Sequence, residues 1–200
     1  MRPLITALSL ALAAPLFAQA PSLPGAPDPA RVTSGTYEVD AGHTQVLFTV
    51  NHLGFTEYTG QFTNPTGSLT LDKANPAASK IEIVFPIDKV VTTVPALDTH
   101  LKSPDFFDAA KFPEGRFVST KIVAKGQTAT ITGDLTLKGV TKPVVMQARF
   151  IGAGADMRSK KPYVGFAGTA TIKRSDWGIT YAPVVSDDVK LTINAGFLQK

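Results

Sequence analysis

Apolar and polar residues alternate along much of this chain, in stretches separated by turns rich in glycine, asparagine and proline. Over residues 45–52, Val46, Phe48 and Val50 share one face, whereas Thr49 and Asn51 share the other. This alternation predicts β-strands that bury one face. We expect about eight strands, and similar patterns extend over residues 58–62, 66–71, 80–87, 116–123, 128–137, 144–150, 165–173 and 189–198.

One stretch, residues 94–120, interrupts the strand pattern and favours a helix. Pro95 suits a first helical turn, and Ser103, followed by proline, ends that helix and offers the cap of a second one. Phe106 and Phe107 then bring two adjacent rings. A short polar helix that carries aromatic rings between strands predicts a lid over an apolar interior.

Many short strands joined by short turns predict an all-β sandwich or barrel. Gly133, Gly165 and Gly168 lie inside predicted strands, where glycine marks the bends or bulges that closing a barrel requires. We therefore predict an all-β fold, an extended eight-stranded antiparallel barrel with a short helical lid. Such a barrel is either filled by side chains or holds one small ligand, and the strand pattern leaves both alternatives open.

The N-terminal residues predict export. Arg2 precedes an apolar stretch over residues 4–17, which has the length of a signal-peptide core and is too short to span a membrane. Ala-Gln-Ala at positions 18–20 matches a signal-peptidase site, although Pro21 disfavours cleavage directly after it. We expect a cleavable signal peptide and a periplasmic protein; an uncleaved anchor is the alternative.

The 200 residues divide into three predicted parts. These are a signal peptide over residues 1–20, a mobile proline-rich linker over 21–34 and one β-barrel domain over 35–200. The absence of cysteine excludes disulfides, thiolate metal sites and a lipidated cysteine. The net charge is +4 and no five like charges are adjacent, so we predict no nucleic-acid partner.

Several short motifs follow one another along the chain. They are residues 37–40, Gly42-His43-Thr44 with Val46 and Phe48, Asn51-His52-Leu53-Gly54, Gly60-Gln61-Phe62, His100-Leu101-Lys102-Ser103-Pro104-Asp105-Phe106-Phe107-Asp108, residues 111–113 and 116–119, Gly133-Asp134-Leu135-Thr136-Leu137-Lys138-Gly139-Val140-Thr141 with Pro143 and Val144, Arg174-Ser175-Asp176-Trp177-Gly178-Ile179, and residues 187–189. Their order resembles the YceI-like family of exported bacterial proteins, over nearly all of residues 36–198. Thr44 stands where that family usually has serine, and Trp177 where it often has phenylalanine.

This resemblance implies a lipocalin-like barrel that is similar to carriers of long apolar chains, notably polyisoprenoids such as the tails of ubiquinone-type quinones. Some members of the family hold fatty amides or related lipids instead. We accordingly predict a non-catalytic protein that binds a polyisoprenoid or an isoprenoid quinone for carriage, storage or sequestration, with no cofactor besides that lipid. A transient membrane contact and a homodimer stay open as partners.

A bound isoprenoid chain would contact inward-facing apolar side chains, and each buried methylene contributes about 0.8 kcal/mol. We expect Leu53, Phe55 and Phe106 near the entrance, beside the lid. The predicted apolar tunnel comprises Phe48, Val50, Leu53, Phe55, Ile83, Phe85, Phe106, Phe117, Ile131, Met146, Phe166, Ile172 and Trp177. The candidates for a polar head group are His43, His52 and Arg174, the last of which could pair with Asp176 instead.

Two chemical alternatives stay open. His43, His52 and His100 provide the ligand types of an open zinc site, but the sequence places them on separate elements and we predict no metal site. Asp98, His100 and Ser103 are the residue types of a hydrolytic triad. Residues two and three apart on one helix point to different faces, so we predict no catalytic residue and a solvated, capped helix instead.

Overall fold

The computed structural model describes residues 23–181 and 183–200. The predicted signal peptide and its cleavage site near Ala20 lie outside these residues. Within them, one seven-residue helix, α1, interrupts a series of strands. The elements are β1 (Gly25–Ala26), β2 (Gly35–Val39), β3 (Gln45–His52), β4 (Thr56–Phe62), β5 (Thr66–Leu71), β6 (Lys80–Pro86), β7 (Val90–Val91), α1 (Pro95–Leu101), β8 (Glu114–Lys125), β9 (Thr128–Leu137), β10 (Val140–Ala155), β11 (Pro162–Lys173) and β12 (Asp188–Gln199).

The strands close into an antiparallel barrel of eight staves. We call a stave either one strand or two successive strands that together span the barrel wall. Three staves are broken in two: β2 with β3, β4 with β5 and β6 with β7, since β5 pairs with both β2 and β6 while β4 pairs with both β3 and β7. β8 to β12 follow in chain order, and β12 pairs with both β2 and β3 to complete the ring. The predicted eight-stranded antiparallel barrel is confirmed.

Successive staves run in opposite directions, so their connections alternate between the two ends. We call one end the mouth and the other the far end. The mouth carries the β3–β4 turn at 53–55, residues 92–113 with α1, the turn at 138–139 and the β11–β12 connection at 174–187. The far end carries the turns at 72–79, 126–127 and 156–161.

Glycines lie where the barrel bends and where rings point inward. Gly133 and Gly165 lie beside the two register shifts of the sheet, as predicted for residues that help to close a barrel. A side chain at Gly60, Gly115 or Gly133 would collide with the inward ring of a phenylalanine on the neighbouring stave. Glycine therefore makes room for large aromatic groups inside a narrow barrel.

The predicted lid is a single helix followed by turns. Pro95 occupies the first turn of α1, and Leu101 near its end is buried. Residues 102–113 form turns and not the second helix that the proline after Ser103 predicts. Asp108 has a positive φ of 51°, which a right-handed helix cannot contain. The Phe107 ring packs against the Phe62 ring, with 5.4 Å between their centroids.

The segment predicted to be a mobile linker packs against the barrel. Residues 23–34, which we call the strap, cross the far end, where β1 pairs with Ala153 and Gly154 of β10. Arg31 donates to the carbonyl of Pro24, and Val32 packs against a buried cluster. Glycines in β10 let the strap approach the backbone closely, so residues 23–34 pack against the barrel where the sequence predicts a mobile linker.

The same pairing extends β10 to Ala155, sixteen residues in all, where the sequence predicts a strand that stops near Phe150. Glycines such as Gly152 and Gly154 are typical of a loop. Here, however, β11 and the strap supply hydrogen-bond partners on both edges of this stretch. None of the helices among the described residues is long and apolar enough to cross a membrane.

Candidate functional site

A cavity of about 750 Å³ runs along the inside of the barrel, within the range of about 300–1,000 Å³ typical of small-molecule sites. It lies between two clusters of buried side chains. One cluster packs beneath the lid and includes Phe62, Leu101 and Trp177, and the other packs near the strap and includes Tyr37 and Phe197. The barrel is therefore hollow, which resolves the alternative that the strand pattern leaves open.

The cavity wall is made largely of apolar side chains. Many of them are only partly buried although they point inward, because they face empty space. Eleven of the thirteen predicted tunnel residues lie on this wall, and their contact with a ligand stays a prediction. They are Phe48, Val50, Ile83, Phe85, Phe106, Phe117, Ile131, Met146, Phe166, Ile172 and Trp177.

Leu53 and Phe55, the two remaining tunnel candidates, do not line the cavity. They lie in the tight turn between β3 and β4 at the mouth, with both side chains exposed. Sequence reasoning counted them among the tunnel residues, close to the entrance. The hairpin turn instead reverses the chain past the last inward position of β3.

The polar side chains of the wall lie mainly at its two ends. His52, Tyr58 and His100 face the mouth, and Asp72 and Gln127 face the far end. Between them the hydroxyl of Thr44 is buried, and it is occupied by hydrogen bonds with the backbone of residue 196. A long apolar molecule would thus meet apolar contacts along its length and polar groups only where it emerges.

Three rings form a cluster at the mouth. The His100 ring lies 5.0 Å from the rings of both Phe106 and Tyr181, and the last two are 5.3 Å apart, all in edge-to-face or tilted arrangements. His100 Nε2 is also 2.9 Å from a carboxylate oxygen of Asp105. The cluster joins the lid to the β11–β12 connection across the cavity opening.

Arg174 holds the β11–β12 connection in place. Its guanidinium donates to the backbone carbonyls of Ile179, Tyr181, Val185 and Ser186, over distances of 2.7–3.1 Å. Its side chain also borders the cavity. A planar group with several fixed donors suits this role, since it satisfies the carbonyls of one irregular loop. The head-group role predicted for Arg174 stays a prediction.

His43, the third head-group candidate, lies outside the barrel. Its Nδ1 is 2.7 Å from the Asp40 carboxylate, which also accepts a hydrogen bond from the Tyr163 hydroxyl at 3.1 Å. Burial, followed by the negative charge of Asp40, raises the pKa of Tyr163. This network ties β11 to the bend between β2 and β3, away from the cavity wall.

His52 and His100 both face the mouth, whereas His43 lies outside the barrel. Across the described residues, no three side chains of metal-binding type gather into one group. The triad candidates do not pair with one another either. Asp98 accepts hydrogen bonds from Thr92, and His100 pairs with Asp105. Within the described residues, neither the three histidines nor these triad candidates form one assembled group.

Sequence reasoning missed several residues on the cavity wall. Leu191, Ile193 and Ala195 alternate in phase along β12, and this signal could have identified them. Tyr181 and Val185 carry no such signal because they lie in an irregular connection whose path depends on Arg174.

These features define an up-and-down β-barrel around an apolar cavity, an architecture that suits enclosure of one small ligand. A family model described as the YceI-like domain matches residues 37–197. A UPF0312 protein of Pseudomonas savastanoi pv. phaseolicola is 40% identical over 163 residues, covering 79% of this chain and 82% of that protein. The chain therefore belongs to the YceI-like family.

Solved structures share the fold. The Campylobacter jejuni YCEI protein is 30% identical, with a TM-score of 0.67 over 75% of this chain and 90% of that one. A polyisoprenoid binding domain from Saccharophagus degradans, implicated in plant cell wall breakdown, has a TM-score of 0.64 over 84% of this chain and 100% of its own. Its identity of 13% relates the two by fold alone.

Proposed function

We propose that this protein binds a polyisoprenoid or isoprenoid-quinone chain inside its barrel, without chemistry of its own, and that it is exported to the periplasm. The observation that carries the proposal is the cavity of about 750 Å³ whose wall is apolar along its length and polar at its ends. Each methylene that such a wall removes from water contributes about 0.8 kcal/mol. The polyisoprenoid binding named for a protein of the same fold supports this choice of ligand.

We infer that the head group of the ligand lies at the mouth and its tail toward the far end. His52, Tyr58 and His100 provide polar groups at the mouth, where a head group would remain partly hydrated. The tail would extend toward Phe150 and Phe166, whose rings lie 5.9 Å apart near the strap. Carriage, storage and sequestration are all compatible with a ligand held in this way.

Native mass spectrometry of the protein purified from its own periplasm, followed by organic extraction, tests the proposal. We expect one prenyl chain or prenylquinone for each protein molecule. If a fatty amide is found instead, the proposed class of ligand is wrong but the cavity remains the binding site. A protein that arrives empty, and stays empty when prenylquinones are added, would contradict the proposal.

A matched pair of variants on β12 locates the bound lipid. Ile193 points into the cavity, whereas its neighbour Thr192 is exposed on the outer face. Ile193→Trp fills part of the cavity, and we expect it to lower lipid affinity at least about tenfold, which corresponds to about 1.4 kcal/mol. Thr192→Trp adds the same ring outside and should leave lipid binding unchanged; equal losses in both variants would contradict an interior site.

A further inference from the structure

The turn between β3 and β4 presents two large apolar side chains to solvent beside the mouth. Phe55 is 85% exposed and Leu53 is 54% exposed. Neither belongs to the cavity wall or to the two buried clusters of the described residues. We call Leu53, Gly54 and Phe55 the mouth tip. Its exposure is unexpected for a hairpin turn, in which polar residues are the rule.

The backbone of the mouth tip favours a different residue at its first position. Leu53 and Gly54 both have positive φ, 55° and 77°, and Phe55 N donates to His52 O at 3.0 Å. This is a type I′ turn, in which asparagine followed by glycine is preferred. Leucine is strained in this conformation because of its Cβ. Leu53 therefore suits neither the turn nor the solvent around it.

Hydrogen bonds hold the mouth tip in a fixed position. Leu53 N donates to Val184 O at 2.9 Å, and Gly54 N donates to the Asn51 side chain at 2.7 Å. Ser186 N donates to Asn51 O at 2.8 Å, so the β11–β12 connection supports the base of the turn. The two apolar side chains are thus presented on an ordered support.

An apolar path joins the mouth tip to the cavity. Val184 is 39% exposed and also borders the cavity, and its carbonyl accepts the hydrogen bond of Leu53. Residues 51–56 include no Asp, Glu, Lys or Arg. The turns of the far end differ in chemistry, since residues 156–161 alone carry Arg158, Lys160 and Lys161.

We propose that the mouth tip inserts into the surface of a lipid bilayer and docks the mouth of the barrel against it. This inference rests on the proposed function, because an isoprenoid ligand has to pass between the cavity and a lipid phase. An uncharged wedge with one aromatic and one aliphatic side chain fits the boundary between head groups and acyl chains. It is narrower than the broad surface that a stable protein–protein interface buries.

Co-sedimentation with vesicles of neutral phosphatidylcholine tests the docking. Leu53→Ser/Phe55→Ser should lower the vesicle-bound fraction at least about tenfold, because it removes the inserted apolar surface. Val145→Ser/Met157→Ser is the matched control, since these side chains are 53% and 72% exposed elsewhere on the barrel. The control should bind as the native protein does, and every variant keeps the native N-terminus. Equal binding by the tip variant and the native protein would overturn the proposal.

Salt distinguishes insertion from electrostatic adsorption. Binding through the uncharged tip should change less than about twofold between about 0.1 M and 1 M NaCl. Adsorption through the basic far end would instead require anionic lipid and would be lost at high salt. That second result would overturn the proposal.

One substitution separates docking from folding. Leu53→Asn creates the asparagine–glycine pair that the turn prefers, so we expect the melting temperature to hold or rise. The same change removes an inserted side chain, so we expect vesicle binding to fall several-fold. A variant that is more stable and binds vesicles as well as the native protein would overturn the role of Leu53.

The absence of cysteine allows a direct view of the docked face. A polarity-sensitive fluorophore on Thr56→Cys should shift to the blue on vesicles, and the same probe on Thr128→Cys at the far end should not. If the probe at position 56 shifts only when the protein associates with a second copy, as light scattering would show, the bilayer is not the partner.

The outcome of lipid analysis keeps the two proposals apart. A protein that carries a prenyl lipid but ignores vesicles retains the proposed function and loses the docking surface. A protein that docks through the tip but carries no lipid retains the surface and loses the proposed ligand.

Discussion

The two ends of the barrel are closed in different ways. At the far end, three turns and the strap lie around the opening, and the strap joins the sheet through backbone pairing. At the mouth, closure depends on side chains: the ring cluster around His100 and the guanidinium of Arg174. Backbone pairing extends a cooperative sheet, whereas a ring contact can separate without breaking any strand. We infer that ligand exchange uses the mouth.

The charges of the two ends also differ. The far-end segments 23–34, 72–79, 126–127 and 156–161 contain five Lys or Arg and three Asp, a net charge of +2. The mouth segments 53–55, 92–113, 138–139 and 174–187 contain four Lys or Arg and five Asp, a net charge of −1. An apolar rim with little net charge and a basic opposite end face different surroundings. The predictions below test how far each end depends on its own mode of closure.

The largest effect is expected from the guanidinium at the mouth. Arg174→Met leaves at least four carbonyls of one connection without their donor, and we expect the free energy of unfolding to fall by about 2–3 kcal/mol. Hydrogen exchange of the Leu53 and Ser186 amides, which bridge the hairpin and this connection, should accelerate in the same variant. Urea denaturation and exchange mass spectrometry measure both.

The control for this prediction is Arg158→Met, which removes an exposed arginine from a far-end turn and should cost less than about 0.5 kcal/mol. Arg174→Lys keeps the charge but cannot reach the same carbonyls, so most of the loss should persist. If the lysine variant is as stable as the native protein, charge and not the fixed donors of the guanidinium holds the mouth.

A smaller effect is expected from displacing the strap. A Cβ at Gly154 would meet the carbonyl of Pro24, so Gly154→Ala should dislodge β1 and cost about 1–2 kcal/mol. Proteolysis within residues 23–34 should become faster. Gly165→Ala is the matched control, because the nearest atom to its Cβ would be 3.9 Å away. Similar effects of both substitutions would show that the strap adds nothing to closure of the far end.

The smallest effect concerns pH at the mouth. The backbone amide and the hydroxyl of Ser175 donate to Asp187 and hold the pKa of that carboxyl below its usual value. Because the folded-state pKa is depressed, the stabilisation is present above about pH 4 and is lost as the pH falls through the folded-state pKa.

Ser175→Ala removes one of these donors, so it should destabilise the protein by less than about 1 kcal/mol above pH 4, with a difference that shrinks in more acidic solution. Urea titrations at several pH values measure it. A difference that grows as the pH falls would contradict this assignment of the Asp187 shift.

The positions of the inward side chains were predictable because strand periodicity is local. A two-residue repeat is enough to put Phe48 and Val50 on one face, and Ile83 and Phe85 on another, whichever stave pairs with which. The same reasoning fails at turns. At 53–55 the apolar residue types indicate burial. The tight turn lies beyond the end of the barrel wall, however, so its side chains cannot point into the cavity.

Whether the barrel is hollow was decided by packing. Large rings face glycines on neighbouring staves, as Phe85 faces Gly115, and this pairing depends on sheet register between elements far apart in the chain. Residue types alone give the volume of the side chains and not the size of the space they must fill.

The sequence by itself determined most of the strands, their order along the chain and the resemblance to the YceI-like family, because these depend on short-range alternation and on short motifs. Only the tertiary structure decided the docking of the strap, the carbonyl contacts of Arg174 and the exposure of the mouth tip. Each of these depends on contacts across the barrel, such as the hydrogen bond from Asn51 N to Ser186 Oγ, 135 residues further along the chain. Such contacts form when the ring of staves closes, and no local pattern encodes them.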